Sequence, residues 1–164
     1  MSRQDTNRAT NIMGTRHTYR FIETYTWYSG DEVEVQSEEL MLLYGQYDGY
    51  PNGVPSQVAK FIADGTMVNG YGAKNDSIVF NGAGCMVAQI VAHLKDGVGT
   101  YYIQSLSSRG KSGEDYLYDI IVDHNEHTIT MVAYENNDEP KEFFRGTPKE
   151  FLQKYNEEVF ATFN

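Results

Sequence analysis

Apolar and polar positions recur at two spacings along this chain, and the changes between them mark out its elements. From Thr15 to Trp27, "TRHTYRFIETYTW" is rich in Thr, Tyr and Phe, residues that fit a pleated, half-buried surface, so it predicts a strand. "YSGDE" supplies a turn, and "ELMLLYGQY" (39–47) predicts a second strand that returns antiparallel to the first. After Pro55 the spacing becomes helical: in "PSQVAKFIADG", Val58, Ala59, Phe61 and Ile62 share one face, and Gly65 stops the helix. Residues 66–82 read as a long irregular loop, a feature that is often functional in compact domains. "AGCMVAQIVAHLKDG" (83–97) is apolar nearly all round and predicts a central, buried helix.

Three more strands are expected in "GTYYIQSL", "YLYDIIVD" and "TITMVAYE", the last two joined by a tight turn at "HNEH". Thr147, Pro148 and Glu150 then make a capping box with proline in the first turn. Phe151, Leu152, Tyr155, Val159 and Phe160 form the apolar face of that last helix. The order β-β-α-α-β-β-β-α lacks the alternation of a doubly wound sheet. It predicts an α+β domain, an antiparallel sheet of about five strands with helices packed mainly on one face. A polar, aperiodic leader over residues 1–12 is expected to fray, and 13–164 to form a single domain.

Composition narrows the function. The chain has 164 residues, 40% hydrophobic and 22% charged, which is globular rather than disordered. Its 13 Tyr and 8 Phe against 1 Trp suit half-buried sheet faces and binding surfaces. No apolar stretch reaches the roughly 20 residues that span a bilayer, and the N-terminus lacks the apolar core of a signal peptide. With one cysteine, Cys85, no internal disulfide can form, which suits a cytoplasmic setting. A formal charge of −10 argues against direct binding of nucleic acid, whose phosphates need a basic surface. The acid is distributed over "GDEVEVQSEE" (30–39), "SGEDYLYD" (112–119), "NNDEPKE" (136–142) and "YNEEVF" (155–160). It reads either as a solvated surface or as a face for a basic partner, such as another protein's nucleic-acid channel. Asp31, Glu32, Glu34, Glu38 and Glu39 are the densest group.

The motifs that bear chemistry are weak. "RGKSG" (109–113) has phosphate-loop residue types, but Ser105 stands where the first glycine belongs and a strand follows where a helix is needed. It reads as a flexible tip in which Arg109 and Lys111 form a small basic spot able to close over an anion. His124 and His127 in "HNEH" lie in a turn with no third ligand group nearby in sequence, and no metal or other cofactor is implied. Cys85 and His93 sit more than two helical turns apart, too far for a nucleophile and its base. The Gly-x-Gly pairs complete no dinucleotide fingerprint. "LYGQYDGYPNGVPSQ" (43–57) has two readings. It is a structural bend, with the Asp48 carboxylate accepting from the following amides, or the lip of a pocket. Such a pocket would be built from Tyr47, Asp48, Tyr50 and the helix start near Ser56, whose amides could hold an anion.

"MGTR" (13–16) before the first strand, then "LYGQYDGYPNGV" and a helix, resembles a family of small uncharacterised bacteriophage proteins. Its members begin with a Thr-Arg pair and carry an Asp-Gly-Tyr-Pro turn; the likeness covers residues 13–65. Gln46-Tyr47 replace the His-Trp often found before that Asp, so no catalytic histidine is expected there. The resemblance implies origin rather than activity. It points to a phage accessory protein in the host cytoplasm that binds and inhibits a host defence complex, in the manner of an anti-CRISPR protein. A small-molecule binder that sequesters a nucleotide signal is the alternative, and an unrecognised enzyme the third. Association into oligomers stays open.

Overall fold

The computed structural model describes residues 14–68, 70 and 78–163. The expected leader over 1–12 and the middle of the 66–82 loop lie outside the described residues. Within them are eight strands and four helices. The first half runs β1 (His17–Ser29), β2 (Glu32–Gly45), α1 (Val54–Asp64), β3 (Thr66–Val68), β4 (Val79–Asn81), α2 (Gly82–Leu94) and β5 (Tyr101–Gln104). The second runs β6 (Tyr116–Asp123), β7 (Ile129–Glu135), β8 (Lys141–Gly146), α3 (Pro148–Tyr155) and α4 (Glu157–Phe160). The class is α+β, as the sequence predicts.

The main sheet corrects the expected detail. It has six strands in the order β5-β2-β1-β6-β7-β8, and it is mixed rather than antiparallel. β1 and β6 run parallel from His17↔Tyr116 to Thr24↔Asp123. The chain leaves β2, passes through the helices and returns on the far side of β1, the long crossover that a parallel neighbour requires. β5 does not join β6; it pairs with β2, from Leu42↔Gln104 to Gly45↔Tyr101. β8 is a strand that the sequence pattern did not predict: "KEFFRG" is short and charged, as an exposed edge should be. Two pieces of the expected 66–82 loop, β3 and β4, pair with each other as a small parallel sheet.

Strand alternation sets the core. Tyr19 and Phe21 of β1 point toward the helices with Tyr118, Ile120 and Met131, and meet Val58, Ile62, Met86, Ile90, Phe151 and Leu152. Burying each large apolar side chain contributes about 1.5–3 kcal/mol before entropy is counted. The predicted capping box forms: the Glu150 amide donates to Thr147 Oγ1 at 3.2 Å, and the Thr147 amide to Glu150 Oε2 at 2.6 Å. α2 is not buried all round. Ala83, Met86, Val87 and Ile90 face the sheet, while Gly84, Ala88, Ala92 and His93 are exposed, because no described layer covers the helix from outside. Among the described residues no helix is long and apolar enough to cross a membrane.

Candidate functional site

The residues singled out in sequence fall into three places. The Asp48 turn lies at one end of β2, the acidic hairpin at the other, and the Arg109 loop on the sheet face away from the helices.

The turn is a closed hydrogen-bonded unit. Asp48 takes a left-handed backbone, φ 55°. Its carbonyl accepts from the Val54 amide at 2.8 Å, while its carboxylate accepts from the Tyr50 hydroxyl at 3.2 Å rather than from the following amides. The Gly49 amide donates to the Thr15 carbonyl at 3.0 Å, and the Gly49 carbonyl accepts from the Tyr118 hydroxyl at 2.6 Å. The Thr-Arg pair thus ties the turn to the sheet. Beneath the turn lies His17, fully buried, and its ring fills the space left by the missing side chains of Gly45 and Gly49. Neither ring nitrogen has a well-formed hydrogen bond, and burial pushes the pKa down to about 4 against a weaker upward pull from the Thr15 backbone. Tyr47 and Tyr50 are exposed, but Ser56 is buried with its hydroxyl on the Pro51 carbonyl at 2.8 Å. The start of α1 has little left for an anion: the Val54 and Ser56 amides are taken by the Asp48 and Gly53 carbonyls, and Pro55 has none.

The Arg109 loop is bonded to the sheet rather than standing free of it. Arg109 Nη2 lies 3.0 Å from Asp119 Oδ1, and the guanidinium stacks over Tyr134. Asp119, buried, also takes a two-pronged bond from Arg20 at 2.9 and 2.6 Å. Buried Glu114 accepts from Thr18 Oγ1 and from the Gly110 and Ser112 amides, which seals the loop over Leu42, Leu117 and Val132. Lys111, the other half of the expected basic spot, is exposed and forms no ion pair among the described residues.

The second strand begins at Glu32 rather than at Glu39 as expected, and the turn narrows from "YSGDE" to Gly30–Asp31. β2 starts at Glu32, so Glu32–Glu39 lie along a hairpin with β1. β6 supports β1 only as far as Thr24, and β5 supports β2 only from Leu42. Between those limits and the turn at Gly30–Asp31, no further strand among the described residues flanks the two, which project as a two-stranded arm. Asn125 adds one rung, bonding both the amide and the carbonyl of Thr26 with its side chain. The register gives the arm two different faces. Tyr25↔Gln36, Trp27↔Glu34 and Ser29↔Glu32 share one, with Glu38 beyond; the Tyr25 and Trp27 rings stack at 11°, 6.5 Å apart. Tyr28↔Val33 and Thr26↔Val35 share the other. Trp27, Tyr28, Val33 and Val35 are 58%, 72%, 61% and 63% exposed, which is unusual for residues of this size. No family model, curated protein or solved structure matches this chain. Its function is therefore read from geometry.

Of the acidic residues, Glu32, Glu34 and Glu38 lie on the Trp27 face, Asp31 in the turn, and Glu39 on the opposite face, 3.3 Å from Arg20. From Tyr25 to Glu39 the chain contains no Lys, Arg or His. Glu38 also stands directly across from buried Glu23, a like-charge pair that works against the hairpin. Glu23 was not singled out in the sequence, although strand alternation places it on the Tyr19–Phe21 face. Its carboxylate holds His124 Nδ1 at 3.1 Å and the Tyr25 hydroxyl at 2.8 Å. His127 lies close by, yet no group of three or more metal-binding side chains occurs among the described residues.

Proposed function

We propose that this chain is a non-enzymatic binding protein whose β1–β2 arm engages a basic surface of a partner protein. One observation carries the reading. Glu32, Glu34 and Glu38 line one face of an unsupported arm beside exposed Trp27, with no cation among the arm's own residues. Carboxylates so placed steer a basic partner, and aromatic rings add cation–π contact to its Arg and Lys side chains. The likeness to phage proteins makes that partner a host defence complex whose nucleic-acid channel is basic, such as a CRISPR effector. Occupying the channel would inhibit it. The nucleotide-sequestering alternative has less support: Arg109 is held by Asp119 and the start of α1 is occupied.

The test is a pull-down from host lysate with three baits: the intact chain, Glu32→Lys/Glu34→Lys/Glu38→Lys, and Lys111→Glu. The intact chain and Lys111→Glu should retain the same partner at low salt and release it at high salt, while the triple variant retains none. Retention by the triple variant, or a thermal shift of the intact chain with nucleotides that Lys111→Glu loses, would overturn the reading.

A further inference from the structure

Among the described residues the arm leaves one long strand edge uncovered. Within them β2 has a strand on both sides only from Leu42 to Gly45; from Glu32 to Met41 its outer edge carries no strand. Natural proteins guard such edges with charged side chains, lysine above all, with proline or with a bulge. Here the bulge sits at Leu40, the foot of the exposed run; the run contains neither lysine nor proline, and its charges are all carboxylates, which repel an acidic strand and admit a cationic one. A two-stranded ribbon is marginal in water, and a third strand is what stabilises it. The empty place also continues the line of β5, which ends at Gln104 opposite Leu42. At its foot an apolar recess of about 480 Å³ opens between Leu40, Met41, Val87 and Ile103.

We infer that this edge receives an extended segment of the partner protein, in which Lys or Arg alternates with apolar residues, as an added strand beside Glu32–Met41. The inference rests on the acidic-arm reading and specifies how the arm binds. The alternation follows from the two faces of β2. A strand laid against it sends every second side chain toward Glu32, Glu34 and Glu38, and the others toward Val33 and Val35. Charge complementarity selects cations for the first set. The Tyr28–Val33–Val35 surface selects apolar side chains for the second, and the recess at Leu40 takes an end residue.

The chain's single tryptophan lies on the arm, so its fluorescence reports binding directly. The probes are three capped eight-residue peptides titrated into the full chain. One alternates Arg and Val, one has the same composition in two blocks, and one alternates but is N-methylated throughout. The alternating peptide should shift Trp27 emission saturably. The block peptide and the N-methylated peptide should bind at least about tenfold more weakly, since each loses either the face match or the backbone hydrogen bonds. Equal affinity for all three overturns strand addition while leaving an arm that binds by charge. Binding of none, by a chain that still retains its lysate partner, also overturns it. Failure of the underlying reading shows elsewhere, as retention of that partner by Glu32→Lys/Glu34→Lys/Glu38→Lys.

Discussion

At the scale of single residues, the chain's most constrained points lie away from the arm. His17 is held neutral under the Asp48 turn, with its pKa at about 4 against 6.5 in an unfolded chain, mainly through burial. As pH falls below 6.5 the unfolded state takes up the proton first, so stability falls down to about pH 4 and not further from this group. Denaturant unfolding between those limits should show a loss of up to about 3 kcal/mol from this source, which His17→Gln removes. An unchanged slope in that variant would mean that other groups carry the dependence. Gly49 is fixed by the same ring: an added Cβ would lie 2.5 Å from His17 Nδ1. Gly49→Ala should therefore destabilise by about 1–3 kcal/mol, read from the unfolding midpoint. Asp119 binds both Arg20 and Arg109 from a buried position, so Asp119→Asn should cost about 3–5 kcal/mol. Lys111→Ala, an exposed change, should stay within about 0.5 kcal/mol. The bend around Asp48 was legible in its Asp, Gly and Pro residues, but the burial of His17 was not. A histidine in a Thr/Tyr-rich strand looks the same whether it faces a core or water, and only the two glycines packed against it decide.

At the scale of elements, what could be read depended on whether an element is specified locally. The β1–β2 hairpin, α1 and the capping box of α3 each announce themselves within a dozen residues, through alternation, turn residues or a cap. The parallel pairing of β1 with β6 and the placing of β5 beside β2 join residues far apart in sequence, so no local pattern contains them. The acidic run was visible as charge, while its projection was not. Nothing within "YTWYSGDEVEVQSEE" marks the point where support stops; that is set by β6 ending at Asp123 and β5 ending at Gln104. Because that support stops, the arm's tip should be separable from the fold. Tyr25 and Gln36 face each other as a hydrogen-bonded pair, in step with Ser29 and Glu32 at the native turn, so Thr26–Val35 can be replaced by Asn-Gly, a two-residue turn suited to a hairpin. The shortened chain should keep its stability within about 1 kcal/mol, since the removed side chains are exposed apart from half-buried Thr26. A larger loss in thermal or denaturant unfolding would make the arm part of the folding unit.

At the scale of the whole molecule, the division of labour is between a sheet closed on both faces and an arm open on both. The helices cover the Tyr19 face, the 105–115 segment covers the Leu42 face, and the acidic arm extends past both. The α+β class followed from runs of adjacent strands. The sixth strand and the mixed pairing lay beyond reach, because β8 is too short and polar to stand out and the crossover is a long-range choice. The net charge is −10, and among the described residues the arm is where acid meets large exposed apolar side chains on an uncovered strand edge. The most direct measurement is partner retention from host lysate by the intact and the arm-shortened chains, side by side and at low salt. The account predicts a partner on the intact chain, absent from a shortened chain that is folded. Equal retention by the two would contradict it.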